Sequence, residues 1–381
     1  MKIPKSLISI NSFILITFLM PVIYMLWRFV NFSRSLSSFF QSWDVFGLLF
    51  NTIAVFIAVV ISSLIVGLLI SIVTVRFEFA GSKILFTLCA LPLVIPSYIG
   101  ALTYISAFSP KGLFVQLFNS LGLEEIAGID GFLGSWLVLT LFTYPYVQLI
   151  CSSALRNLDS TVEDAARSLG VSQLKVYTNV VIPRLKKPII YSGLLVGLYV
   201  ISDFGAVSLM RYSTVTKAIY AYYEFSILGD PVIFYSSLLI VLALIISFVQ
   251  RGSATSRSAK VSGTPRVPKK IKLERSGKML TYSFLGFVIL LGLIIPISVL
   301  SFWLLRGIYY GNDVSSSLPG IFGSFSAAIV TSIFAIIISM PIVILISQYK
   351  SKFGDILEKL MLSLYGLSLI HISEPTRHTQ I

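Results

Sequence analysis

Asp159-Ser160-Thr161-Val162-Glu163-Asp164-Ala165-Ala166-Arg167-Ser168-Leu169-Gly170, followed by residues 171–183 ending in Val180-Val181-Ile182-Pro183, is a charged stretch set between long apolar segments. Ser160 and Glu163 have the spacing of a capping box, in which each side chain satisfies an orphan backbone N–H at a helix start. Val162, Ala165, Ala166 and Leu169 then fall on one stripe of that helix. Gly170 follows, the residue that most readily takes the left-handed turn ending a helix. Ser172 is placed to cap a second short helix carrying Leu174, Tyr177 and Val181, which is expected to stop before Pro183. The pattern reads as a helix–turn–helix between membrane segments, and its place there points to a docking surface.

Composition demands a membrane around this loop. The 381 residues are 56% hydrophobic and 12% charged, with a mean hydropathy of +0.91, more apolar surface than a soluble globule can hide. Val45 to Val75 contains no charge and exceeds the roughly 20 residues that cross a hydrocarbon core. Spans are expected near Ile8–Trp27, Phe46–Val75, Ile84–Phe108, Leu133–Ala154, Ile189–Met210, Val232–Val249, Leu280–Leu305 and Ser326–Ser347, with a ninth starting near Ile356. All should be helical, since lipid offers backbone groups no partners. The N-terminal run ends in Met25-Leu26-Trp27-Arg28 without a small-residue cleavage site, so it reads as an uncleaved span.

Basic residues set the expected orientation. With the N-terminus inside, 22 lysines and arginines fall on the inner side against six outside (Arg28, Arg34, Lys111, Arg211, Lys217 and Arg306). The charged loop then lies in the cytosol. The net charge of +13 is accounted for by these inner loops and by anionic lipid headgroups, so nucleic acid is not an expected partner.

In this setting the loop resembles the EAA loop of ABC-type importer permeases, whose pattern is Glu-Ala-Ala, three residues, Gly, nine residues, Ile, one residue, Leu-Pro. Asp164, Ala165 and Ala166 occupy the Glu-Ala-Ala places, Gly170 keeps the spacing, Val180 takes the Ile place, and Ile182-Pro183 the Leu-Pro place. The departures are Asp for Glu, Val for Ile and Ile for Leu. The resemblance implies a type I importer fold, an all-α polytopic membrane helical bundle. It also implies that this loop, with Glu163 at its head, inserts into a cleft of an ATP-hydrolysing subunit. Two such subunits and an extracytoplasmic solute-binding protein are the implied partners, in a prokaryotic inner membrane.

Asp203-Phe204-Gly205, within the expected fifth span, is followed by Arg211, Thr214, Thr216, Lys217 and a tyrosine-rich run. The arrangement looks like the corresponding region of ferric-type permeases. A charge inside a span costs about 2.5–3.5 kcal/mol on insertion scales, so Asp203 should face protein or water. Asp203, Phe204, Gly205, Arg211 and Lys217 are therefore the pathway candidates, against a purely structural Asp203–Arg211 pair. Pro92, Pro96 and Gly100 interrupt the third span, and residues 113–118 form an amphipathic stretch suited to the interface or to a delivery protein.

Several classes are excluded. Gly277-Lys278 lacks the remainder of a phosphate-binding loop, no Gly-x-Ser-x-Gly is present, and Asp203-Phe204-Gly205 lies in an expected membrane helix with no kinase-like catalytic loop to accompany it. Cys89 and Cys151 make no Cys-x-x-Cys pair, and both histidines, His371 and His378, lie at the C-terminal end. No cofactor or resident metal is expected, and ATP hydrolysis would belong to a separate subunit.

The basic, Ser- and Pro-containing segment 251–279 reads as a linker. Beyond it the first series is echoed: Arg76-Phe77 with Gly81 and Ile84-Leu85, then Lys352-Phe353 with Gly354 and Ile356-Leu357. The expected plan is residues 1–45 as first span and outer loop, 46–250 as a first permease unit, 251–279 as linker and 280–366 as the beginning of a second unit. Such a fused pair is similar to ferric iron permeases. Leu367 to Arg377 resembles the translation of a transposase sequencing adapter, so 367–381 is set aside as an adapter-derived tail and the second unit is expected to be cut short. Ferric iron is the expected solute, with thiamine, polyamine or phosphonate as alternatives within the family. An ion-coupled secondary carrier using Asp203, or a membrane scaffold without a pathway, are the readings from other classes.

Overall fold

The computed structural model describes residues 3–31, 44–109, 112–120, 128–158, 163, 166, 168–225, 230–254, 270–311, 313, 315–349 and 351–365. Among these, five helices are long and apolar enough to cross a membrane, and two further pairs would each do so as a bent span. The all-α expectation is met: strand is confined among the described residues to a two-residue parallel pairing, β1 (Phe77–Glu78) with β2 (Ile271–Lys272). Two compact units emerge, each described separately.

The larger unit comprises residues 40–218 and 245–300. Its axis is α2 (Val45–Arg76), started by Asp44, whose carboxylate accepts the Gly47 N–H at 3.1 Å. The partner of α2 is α6 (Gly131–Arg156). In lipid, helices associate through close packing and polar contacts, and small residues provide both here. A Cβ on Gly67 would come within 2.6 Å of Val147 Cβ and 2.7 Å of the Tyr144 carbonyl, so the two backbones touch at this point. Ser63 and Thr143 hydroxyls lie 3.0 Å apart, Ser71 donates to the Gln148 carbonyl at 2.9 Å, and Trp136 Nε1 donates to Ser62 at 2.8 Å.

The third expected span is two helices. α3 (Ser82–Ala90) runs into a 3-10 turn, Leu91–Val94, and α4 (Ser97–Phe108) leaves at 95°. Pro92 and Pro96 sit at this break, where the missing N–H groups leave no helical ladder to continue. The turn is fastened to α6 by Tyr144, which donates to the Cys89 carbonyl at 2.7 Å, and by Gln148, which donates to the Phe86 carbonyl at 2.8 Å. α5 (Leu113–Ser120) follows as the short amphipathic helix expected from its sequence.

After α6 come α7 (Gln173–Val176), a π turn (Tyr177–Val181), α8 (Ile182–Arg184), α9 (Lys186–Ser202), α10 (Gly205–Leu209) and α11 (Val215–Phe225). α12 (Asp230–Ala254) extends four residues into the segment read as a linker. At its other end Lys270 precedes β2, and α13 (Arg275–Ile289) starts before Met279. α13, a π turn (Leu290–Ile294) and the start of α14 (Ile295–Tyr309) pack into the larger unit: Leu285, Val288, Ile289 and Leu293 share a core with Ile70, Phe79, Cys89 and Tyr144. Tyr104 donates to the Leu291 carbonyl at 2.8 Å. The helix after the basic segment is thus part of the same body as the first series.

The smaller unit holds residues 1–39, 219–244 and 301–381. α1 (Lys5–Val30) meets α15 (Leu318–Gln348) through Asn11, which donates to the Pro341 carbonyl at 3.1 Å. Val22 and Met25 pack on Ile240 of α12. α16 (Lys352–Tyr365) begins four residues before the expected ninth span, with Ser351 accepting the Gly354 N–H at 3.0 Å. It carries Lys352, Asp355 and Glu358 on its exposed face and buries Leu357, so the described part is an amphipathic helix of 14 residues. At 1.5 Å per residue it is about 21 Å long, short of a hydrocarbon core.

Candidate functional site

At the loop, Gly170 has φ +77°, the left-handed turn expected of it. Val171 N–H donates to the Ala166 carbonyl at 3.1 Å, the six-to-one bond of a Schellman ending. Ala166 and Val171 both join a small core of Leu155, Val176, Tyr177, Val181 and Leu185, backed by Leu68, Ile72 and Val75 of α2. The turn is therefore anchored underneath, while Leu169 beside it is 83% exposed. Asp164 and Ala165, together with the cap partner Ser160, lie outside the described residues.

Glu163 is engaged elsewhere than the sequence alone indicates. Its Oε1 accepts from Arg76 Nη2 at 2.7 Å, and both side chains are only 2% exposed. Arg76 is the last residue of α2, so the pair ties the head of the loop to the end of that helix. Losing one partner of such a buried pair typically costs about 3–5 kcal/mol, because the other charge is stranded. Arg76 was missed by sequence reasoning, where it counted only as an inner-side charge. Its partner is 87 positions away, and the sole local signal is one arginine closing an uncharged helix.

The second helix of the loop begins after Ser172, whose carbonyl accepts the Val176 N–H at 3.0 Å. It does not stop before Pro183. The Ile182 N–H reaches back five residues to the Tyr177 carbonyl, and helix continues to Arg184. The wider π turn gives room to a proline ring that would strike the carbonyl four residues back in a regular helix. Val180 and Ile182 are half-buried and Pro183 exposed. The chain then bends 63° at Leu185 into α9.

The expected fifth helix, Ile189–Met210, is broken at Asp203. α9 ends at Ser202, Asp203 is extended (ψ 124°), and α10 starts at Gly205. Asp203 is 8% exposed and accepts hydrogen bonds from the Ser97 hydroxyl and, at 2.9 Å, from the Ala206 N–H. These hydrogen bonds offset part of its desolvation. Its carbonyl accepts from Thr216 at 2.9 Å, Thr216 and Thr214 lie 2.8 Å apart, and Thr52 of α2 accepts the Val215 N–H at 3.0 Å. Ser97 is the first residue of α4, directly after the 95° bend. The two helix breaks therefore meet, and Gly205 seals them: a Cβ there would come within 2.5 Å of Tyr98 Cβ.

The Asp203–Arg211 pair weighed from sequence is not what holds Asp203. Arg211 is exposed, turns at φ +56°, and its N–H donates to the Ser208 carbonyl at 3.1 Å. Lys217 lies in the first turn of α11, its N–H 3.4 Å from the Thr214 hydroxyl. Of the five pathway candidates, Asp203, Phe204 and Gly205 form the break, and Arg211 and Lys217 flank it. Ser97, Thr214 and Thr216 complete the polar cluster. Ser97 was not singled out, because nothing in sequence relates it to a residue 106 positions away.

Both features fall within a region of established similarity. Residues 63–256 match the family of binding-protein-dependent transport system inner membrane components. The chain is 26% identical over 369 residues to the Fe(3+)-transport system permease protein FbpB 2 of Haemophilus influenzae, covering 93% of this chain and 69% of that one. It is 35% identical over 132 residues to the putrescine transport system permease protein PotI of Escherichia coli K12, covering 34% and 44%. Against the sulfate transport system permease protein CysT of Salmonella typhimurium it is 29% identical over 155 residues, covering 41% and 54%. The chain thus spans about two thirds of the first relative's length and about half of the others'. More than half of the sequence carries the family's pattern, and the anchored loop and the paired helix breaks lie in it: the chain belongs to the family of binding-protein-dependent transport system inner membrane components.

Proposed function

We propose that the chain supplies the translocation pathway and a coupling loop of an ATP-driven ABC importer for ferric iron. Two ATPase subunits dock on the inner side, one of them against the turn at Leu169-Gly170, and an extracytoplasmic binding protein delivers the substrate outside. The N-terminus is cytoplasmic in this reading, which rests on the excess of inner lysines and arginines. The observation that carries the ATPase contact is the Schellman-ended turn, rigid below and exposing Leu169 above, at the spacing of the EAA pattern. Force on the turn passes to α2 through Glu163–Arg76. The pathway is assigned to the helix breaks joined by Ser97 and Asp203, where two discontinuous helices can move as bodies. The chain performs no covalent chemistry.

Iron is favoured by similarity to a ferric permease over nearly the whole chain. Sulfate and putrescine permeases match shorter stretches, so one fold serves several solutes. Proteoliposomes containing the intact transporter and its ATPase, charged with ATP, should accumulate radiolabelled ferric iron from its binding protein at least about ten-fold over ATP-free vesicles, a difference of about 1.4 kcal/mol in driving force. Accumulation of sulfate or putrescine in place of iron would overturn the substrate. Uptake that follows an ion gradient and ignores ATP would overturn the importer reading in favour of an ion-coupled carrier.

A further inference from the structure

We propose that the cavity of about 430 Å³ beside the inner ends of α2 and α6 is a binding site for a phosphate group. Three cations line it, each from a different element. Lys83 comes from the first turn of α3, Arg156 is the last residue of α6, and Lys270 stands immediately before β2. Among the described residues, no Asp or Glu lines the cavity. All three are solvent-exposed at its rim, and an anion seated between them is attracted by each.

The fold invests in this gathering. Lys270 is carried in by the parallel pairing of Ile271 with Phe77, the one strand contact among the described residues. Arg156 is steadied over the Phe86 ring, 5.0 Å from its centroid, a cation–π contact that fixes the guanidinium at the cavity wall. Ser82 also lines the cavity, and α3 begins there at Gly81 without a side-chain cap, so its first N–H groups add donors. The volume lies in the range of small-ligand sites.

Two sources could present this chemistry. The cavity sits at the ends of two membrane helices, and Ile84, next to Lys83, is 66% exposed, so an anionic phospholipid could place its headgroup inside and its chains against α3. Free inorganic phosphate could enter from water. In either case occupancy would join α3, α6 and β2 at the base of the charged loop. The site stands independently of the transported solute.

The test is protection of lysines from an amine-acylating reagent, read by mass spectrometry on the intact transporter in phosphatidylcholine nanodiscs. One arm adds phosphatidylglycerol and the other inorganic phosphate. Lys83 and Lys270 should be protected saturably, while Lys278, equally exposed but outside the cavity, follows only bulk charge. Protection in the first arm alone identifies a lipid headgroup; protection in the second identifies free phosphate. Arg156→Gln should raise the half-saturating concentration about five-fold, the usual weight of one basic residue near an anion. If that variant does not fold, Lys270→Gln should do the same for protection of Lys83. Protection no greater than that of Lys278 in both arms, or unaltered in the folded variants, overturns the site.

Discussion

Gly170→Val is expected to weaken the hold of the intact transporter on the ATPase subunit docked at this turn and to lower substrate-stimulated ATP hydrolysis about ten-fold, with the spans still inserted. A Cβ at Gly170 meets nothing within 4 Å, so no clash is involved. The effect comes from φ +77°, a conformation that costs an L-residue about 1–2 kcal/mol and more when the side chain is β-branched. The turn relaxes, the Val171–Ala166 bond opens, and Leu169 leaves its fixed position. A displacement worth about 1.4 kcal/mol already lowers docking affinity about ten-fold. Gly170→Asn, which tolerates the left-handed region, should retain most of the stimulation. Co-purification of the ATPase and stimulated hydrolysis are the readouts. Normal stimulation in the valine variant would mean that the turn is not a coupling element.

The second large effect is expected at Asp203. Both carboxylate oxygens accept hydrogen bonds, from Ser97 and from the Ala206 N–H. Asn keeps one acceptor and turns the other oxygen into an NH2 donor, so the Ser97 contact must reverse its direction in a buried site, at about 1 kcal/mol. If the joined breaks move during transport, Asp203→Asn should reduce uptake on the order of ten- to a hundred-fold. Membrane abundance and ATPase docking should remain near normal. Ser97→Ala should act in the same direction, since it removes the other half of the contact. A lower melting temperature and abundance with normal uptake per molecule would instead make the contact one of packing.

Much of this architecture is legible from local rules, and the departures have one kind of cause. Gly170 fits because a left-handed turn is a property of one residue and its neighbours. The second helix of the loop follows from the spacing after Gly170, and apolar length alone located the long helices. Pro183 marked a helix end by propensity, but the π turn at 177–181 lets the helix pass it. The break at Asp203 is invisible in a run as apolar as Ile189–Met210. It depends on Ser97, Thr216 and Tyr98, which other elements deliver. Arg76 and Glu163 likewise have no signature in sequence as a pair, since their meeting requires α2 and the loop to be folded first. The pairing of β1 with β2 draws the end of the basic segment onto the larger unit for the same reason.

The central claim is that the turn at Leu169-Gly170 is where an ATPase subunit binds, and site-directed cross-linking tests it most directly. Cys89 and Cys151 are fully buried and can be replaced by alanine, leaving Leu169→Cys as the reactive thiol of the intact transporter in inverted membrane vesicles. A cross-link from position 169 to the ATPase subunit is expected, changed in yield by ATP and absent for a cysteine at the exposed Tyr309 on α14. A thiol at 169 that reacts with membrane-impermeant reagent from outside intact cells, or that never joins the ATPase, would contradict it.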